Sequence, residues 1–179
     1  MDTLIKQVIR MSNNIYSGLI ALLISWIVSP FNPLGIVCAL IVFFYTAGGN
    51  TLNEFYDKKT DIPRNMVLKY SLFFFATGSA LLMFLPVPAV LLALFVMMLL
   101  LFYDVNFIYV KNHLNLKNIV VALCTAFVPI FVVLSVDKNE FLPQSIIVAI
   151  IFFGFQFWRE RWKDIDEKEA MKYSKKMRK

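Results

Sequence analysis

Six apolar runs, separated by polar or proline-bearing breaks, organise the chain: 15–29, 34–48, 66–85, 87–102, 118–136 and 143–158. Each approaches the length of about 20 apolar residues that a membrane-crossing helix needs. Together they predict an all-α fold, a polytopic transmembrane helical bundle of about six spans. Ahead of the first run, Leu4, Ile5, Val8 and Ile9 are apolar while Lys6 and Arg10 are polar. That pattern predicts a short amphipathic helix over Met1 to Asn14, lying on the membrane surface. Pro86 and Pro88 mark a corner between the third and fourth runs and predict a helical hairpin there.

The breaks alternate between two sides of the membrane. One side carries the N-terminus, 49–65, 103–117 and 159–179; the other carries only the short connections around Pro30–Pro33, Pro86–Pro88 and Asp137–Leu142. With Lys69 assigned to the nearer first side, Lys138 is the single exception among 18 Lys and Arg residues to a placement on that side. The positive-inside rule then puts the N-terminus, the long polar connections and the C-terminal tail in the cytoplasm. The basic tail after Ala170 suits attraction to anionic lipid.

Composition supports the membrane assignment. The 179 residues are 59% hydrophobic, against about 45–50% for an ordinary soluble chain. The net charge of +6 is accounted for by topology, so it argues for no nucleic-acid partner. Cys38 and Cys124 stand singly inside apolar runs, without metal-ligand spacing, and read as small buried hydrophobes. Lys6 and Arg10 precede a first helix that is expected to be retained, since no small-residue cleavage site stands out near Ser29–Pro33. The organisation expected is a transmembrane bundle over 1–158 followed by a cytoplasmic acidic segment and basic tail over 159–179.

The candidate chemistry gathers at the edge of the second run, in G-G-N-T-L-N-E-F-Y-D-K-K-T-D-I-P-R, residues 48–64. If this stretch is helical, Asn53, Asp57 and Asp61 fall at i, i+4 and i+8 on one face, with Asn50 close to the same line. Aligned carboxylates repel each other unless a cation is shared between them, and hard oxygen donors suit Mg²⁺. The competing reading is a solvated loop of mixed charge, made with Lys58 and Lys59. A second cluster follows the sixth run in W-R-E-R-W-K-D-I-D-E-K-E-A, residues 158–170. There Glu160, Asp164 and Glu167 share a helix face, flanked by Arg159 and Lys163, while Trp158 and Trp162 suit the interface. Two acidic clusters on one membrane face suit a pair of Mg²⁺ ions gripping a diphosphate. Between them, the connection from Tyr103 to Asn118 offers Tyr103, Asp104, Lys111, Lys117 and Asn118. His113 has no partner that would make it a ligand. The aromatics Phe73, Phe74, Phe75, Phe84 and Phe95 read mainly as packing or lipid-facing residues.

These stretches resemble the motifs of the UbiA superfamily of intramembrane prenyltransferases, in the family's order across nearly the whole chain. The family's Asn-Asp-x-x-Asp-x-x-x-Asp is matched by N-E-F-Y-D-K-K-T-D, with Asn53, Asp57 and Asp61 in place and Glu54 where Asp is usual. Lys111, Asn118, Val121 and Ala122 fall on the second pattern, with Lys117 where glycine is usual. Arg159, Glu160, Lys163, Asp164 and Ile165 match the third, with Glu167 for its second Asp and Ala170–Met171 where Gly-Asp is usual. The resemblance implies Mg²⁺-dependent transfer of a prenyl group from an allylic diphosphate to a lipid or aromatic acceptor, within a cavity that opens to lipid. It implies Asn53, Asp57, Asp61, Asp164 and Glu167 around the metal, with Asp57, Asp61 and Asp164 catalytic. It implies substrate contacts from Asn53, Arg64, Lys111, Asn118 and Lys163.

The Tyr103–Ala122 stretch is most similar to the members that prenylate a glyceryl phosphate in ether-lipid synthesis; quinone precursors and haem remain as alternatives. The family fold usually has nine spans and six are found, so the bundle is expected to be closed by a second copy or a partner subunit. The alternative is a truncated, non-catalytic relative that at most binds diphosphate or lipid. A CDP-alcohol phosphotransferase would need an Asp-Gly-x-x-Ala-Arg stretch, which is missing, and a transporter would show broken spans or mid-membrane charges.

Overall fold

The computed structural model describes residues 11–57, 62–104 and 114–177. Within them the chain forms α1 (Met11–Val28), α2 (Leu34–Asp57), α3 (Arg64–Leu81), α4 (Val87–Asp104), α5 (Leu114–Ser135) and α6 (Leu142–Met177). Single 3₁₀ turns at Leu82–Phe84 and Asn139–Phe141 join them, and the described residues contain no strand. Five of the helices are long and apolar enough to cross a membrane, and α4 is a shorter apolar helix over Val87–Tyr103. The all-α bundle expected from the apolar runs is what forms.

Local chemistry explains the breaks. Asn32 closes the α1–α2 turn, its Oδ1 accepting the Leu34 N–H at 3.0 Å. At the end of α5, Asp137 takes a left-handed conformation with φ 53°. The Lys138 N–H then donates back to the Val133 carbonyl at 3.1 Å, the pattern of a Schellman cap. Pro63, extended at ψ 129°, stands immediately before α3, a position where its missing N–H costs nothing.

The helices pack as two triplets of sequence neighbours. In the first, α1 and α3 lie against α2; in the second, α4 and α6 lie against α5. The triplets join where α1 and α2 meet α5 and where α2 meets α4. The hairpin expected of the third and fourth runs is therefore open: α3 packs on α2, while α4 turns away to α5. Leu85, extended at φ −107° and ψ 153°, redirects the chain there. A Ser79 Oγ–Met97 Sδ contact at 3.9 Å bridges the two helices.

The N-terminal expectation also changes. Residues 1–10 lie outside the described residues, and Met11–Asn14 belong to α1 rather than to a surface helix, with Asn14 fully buried.

Without a water-driven force between helices, membrane packing relies on small residues that let backbones approach. Gly78 of α3 does this against α2: a Cβ there would lie 2.7 Å from the Tyr45 ring. Tyr45 is buried, shares a 3.2 Å hydrogen bond with Ser79 Oγ, and has its ring 6.0 Å from that of Phe75. Gly78→Leu is expected to cost about 1–3 kcal/mol by overpacking, seen as a lower unfolding midpoint in mixed detergent. Gly154→Leu, where a Cβ would meet nothing within 4 Å, should leave that midpoint unchanged.

Candidate functional site

A cavity of about 500 Å³ opens between α1, α2, α4, α5 and α6. Its walls change character along their length. At one end they carry Asn13 and Ser17 of α1, Thr46, Asn50 and Asn53 of α2, Tyr103 of α4, and Gln156, Arg159 and Glu160 of α6. Further in they are apolar, with Ile20, Ile41, Val42, Ala93, Val96, Phe127, Phe131 and Phe152.

The α2 wall follows from helical spacing. Val42, Thr46, Gly49, Asn50 and Asn53 recur at three- and four-residue intervals and so present one face. Asn50 is fixed across the α1–α2 contact, where its Nδ2 donates to Asn14 Oδ1 at 2.7 Å. Asn14, fully buried, thereby satisfies an amide that would be costly at this depth. The Thr46 hydroxyl is absorbed by the Val42 carbonyl at 2.7 Å.

The opposite wall is built on α6, a single helix of 36 residues. Gln156 and Glu160, one turn apart, are only 9% and 8% exposed. Gln156 Nε2 donates to Glu160 Oε1 at 3.1 Å, and Arg159 Nη1 donates to Gln156 Oε1 at 3.3 Å. A carboxylate, an amide and a guanidinium thus form one chain along this wall.

The residues singled out in the sequence are placed unevenly. Asn53 lines the polar end of the cavity. Asn118 is buried near the start of α5 at 2% exposure, though it is not part of the cavity wall. Arg64 is exposed at the start of α3, its guanidinium 4.4 Å from the Phe55 ring centroid, and it is not among the residues lining the cavity. Asp57 closes α2, and Lys163, Asp164 and Glu167 lie within α6; the description of these four is limited to their helical backbone. Asp61 and Lys111 lie outside the described residues. Among the described residues no group of three or more His, Cys, Asp or Glu side chains gathers as a metal site. The Phe residues on the cavity wall are Phe127, Phe131 and Phe152; Phe75 instead packs in the core between helices.

Asn13, Asn14, Ser17 and Gln156 were not singled out in the sequence. Gln156 had a signal: it is the one amide in an otherwise apolar stretch from Ile146 to Trp158, and polar residues at membrane depth usually face an interior. The asparagine pair at the edge of the first run gave the same kind of signal.

Comparison with known proteins gives a consistent picture. The model of the UbiA prenyltransferase family matches residues 14–174. A digeranylgeranylglyceryl phosphate synthase of Pyrococcus abyssi is 31% identical over 184 residues, covering 92% of this chain and 63% of that protein. The enzyme of the same name from Thermococcus gammatolerans is 30% identical, with the same 92% and 63% coverage. That of Thermococcus kodakarensis is 28% identical, again covering 92% and 63%. The chain therefore spans a little under two thirds of the length of these curated relatives. No solved structure matches it significantly.

Proposed function

The chain belongs to the UbiA prenyltransferase family, and on that premise we propose that it transfers a prenyl group from an allylic diphosphate to the hydroxyl of a glyceryl phosphate lipid. The observation that carries this reading is the gradient along the cavity, from amide, carboxylate and guanidinium groups at one end to aliphatic and aromatic side chains further in. An allylic diphosphate has the same gradient, a polyanionic head on an apolar tail. The glyceryl phosphate acceptor is supported by the relatives, which are named as digeranylgeranylglyceryl phosphate synthases.

Each part of the wall has a task in this reaction. Amide and carboxylate oxygens are the donors that Mg²⁺ prefers. Asn53, at the polar end, together with Asp57, Asp61, Asp164 and Glu167, would hold it. When bound, Mg²⁺ neutralises charge that develops on the departing diphosphate. Lys111 and Lys163 are the groups we assign to holding that diphosphate in place; Arg64 and Asn118, which do not line the cavity, are not assigned to it. Deeper in, Phe127, Phe131 and Phe152 exclude water from the allylic carbon as it becomes cationic. Their faces favour a nearby cation by about 0.5–2 kcal/mol each. The distribution of Lys and Arg supports a cytoplasmic position for the polar end.

The test is prenyl transfer by membranes containing this chain. Geranylgeranyl diphosphate would be the donor, and a glyceryl phosphate carrying one geranylgeranyl ether the acceptor. Diphosphate release and an ether product, both dependent on Mg²⁺, are the expected outcome. Inserted, folded protein that binds a diphosphate analogue without making product would sink the transfer reading and leave a binding relative.

A further inference from the structure

We propose that the Gln156–Glu160 pair is the subsite for the acceptor's hydroxyl group, with Glu160 taking the hydroxyl proton and Gln156 positioning the carboxylate. The proposal rests on the transfer reading above. It begins from a residue the family motifs do not include. Gln156 interrupts a stretch of apolar residues in α6, is nine-tenths buried, and lines the cavity. An amide in such a place is costly unless it is engaged. Its engagement is specific: one amide hydrogen goes to Glu160 Oε1 at 3.1 Å, and its oxygen receives Arg159 Nη1 at 3.3 Å. Bonded on both sides, the amide holds Glu160 in one arrangement, and it keeps a second N–H of its own.

The pair lies at the polar end of the cavity, with Gln156 at the inner limit of that end, and its charge distinguishes it from the groups that hold the diphosphate. Gln156 is one turn nearer to Phe152 than Glu160 is, so the pair reaches the change from polar to apolar wall. The reacting carbon of an allylic diphosphate, joined to the head and beginning the tail, belongs at this level. A carboxylate repels a diphosphate that comes near it without a cation between them. It is, however, a good acceptor for a hydroxyl hydrogen. Glu160 Oε1 already faces an amide N–H, a donor environment rather than one that favours a metal ion.

The step balances without any further reactant. The bond between the allylic carbon and the diphosphate oxygen breaks, its electron pair leaving with diphosphate. A lone pair on the acceptor oxygen forms the new carbon–oxygen ether bond, and the proton on that oxygen passes to a Glu160 carboxylate oxygen. Gln156 does not exchange a proton; it is a positioning residue.

The experiment compares the unsubstituted chain with Glu160→Gln, Glu160→Asp and Gln156→Leu, in detergent, using the donor and acceptor named above. Three quantities are read: ether product, the Mg²⁺ concentration needed for half-maximal rate, and affinity for a non-reacting thiolodiphosphate analogue of the donor. Glu160→Gln is expected to lower ether formation by about 10²-fold while the analogue binds as before and the Mg²⁺ requirement stays put. Glu160→Asp should recover part of the rate. Gln156→Leu should raise the acceptor KM about tenfold without moving the donor KM. Retained analogue binding also shows that each variant is folded. Ether formation by Glu160→Gln at the unsubstituted rate would overturn the proposal. So would lost analogue binding or a raised Mg²⁺ requirement, which would put Glu160 on the metal and diphosphate side. If the unsubstituted chain makes no ether at all, the transfer reading fails, and the subsite with it.

Discussion

Asp57→Asn is expected to lower Mg²⁺-dependent diphosphate release by about 10³-fold, in the range seen when a charge-stabilising group is removed from a preorganised site. Helical register puts Asp57 in line with the cavity-facing amides of α2. Asn50 and Asn53 both line the cavity from α2, and Asp57, the last residue of that helix, follows Asn53 by four residues and Asn50 by seven. Those intervals continue one helix face. The substitution keeps size and shape and removes only the charge, so packing of α2 is undisturbed. The Mg²⁺ concentration for half-maximal rate should rise with the loss of rate.

Glu54 supplies the control. It is 8% exposed and is not part of the cavity wall, so Glu54→Gln should fall far less. If Glu54→Gln is the damaging change and Asp57→Asn is tolerated, the first motif works from another face of α2 and the site assignment is wrong.

A second large effect is expected at the apolar end. Ala93 of α4 is 4% exposed and, like Ile41 and Phe131, both lines the cavity and belongs to the buried core. Ala93→Phe would put a ring into space that the tail of the donor needs. Selection by an apolar pocket is commonly about 10–200-fold for small changes in size. Transfer from geranylgeranyl diphosphate should therefore fall about hundredfold, while geranyl diphosphate, with a tail half as long, loses much less. The ratio of the two rates is the readout. Equal losses with both donors, together with a lower unfolding midpoint, would mean that the ring has overpacked the core and that the tail lies elsewhere.

Much of the architecture was legible because the membrane simplifies it. Backbone groups in hydrocarbon must be satisfied within a segment, so each apolar run becomes a helix. The six expected runs correspond to α1–α6 within a few residues at most ends. The polar ends of α1, α2 and α6 were less uniformly readable. The i, i+4 spacing from Asn53 picks out one face of α2, and Asn53 on that face lines the cavity. Gln156 escaped notice because hydrophobic periodicity does not register a single amide in an apolar run, and only the folded helix shows which wall it occupies. The α3–α4 corner misled for a different reason. Prolines at 86 and 88 fix where a helix stops and restart the next one, but they do not decide which neighbour it packs on. That is set by surfaces such as Gly78 against Tyr45, which a linear pattern does not reveal. Asn14 is a similar case: its burial comes from a partner 36 positions away in the chain.

The grouping of helices into two triplets has a bearing on how the protein is made. Each triplet consists of consecutive segments, so its contacts form between neighbours that leave the ribosome and enter the bilayer in succession. The cavity, by contrast, draws α1 and α2 from one triplet and α4, α5 and α6 from the other. During synthesis, Asn50 and Asn53 are therefore inserted well before the wall that will face them, and they must wait in the membrane for α6. The Asn14–Asn50 hydrogen bond lies wholly within the earlier triplet. That bond gives one of these amides a partner before the later helices are in place, so the earlier triplet can satisfy part of the polar wall on its own.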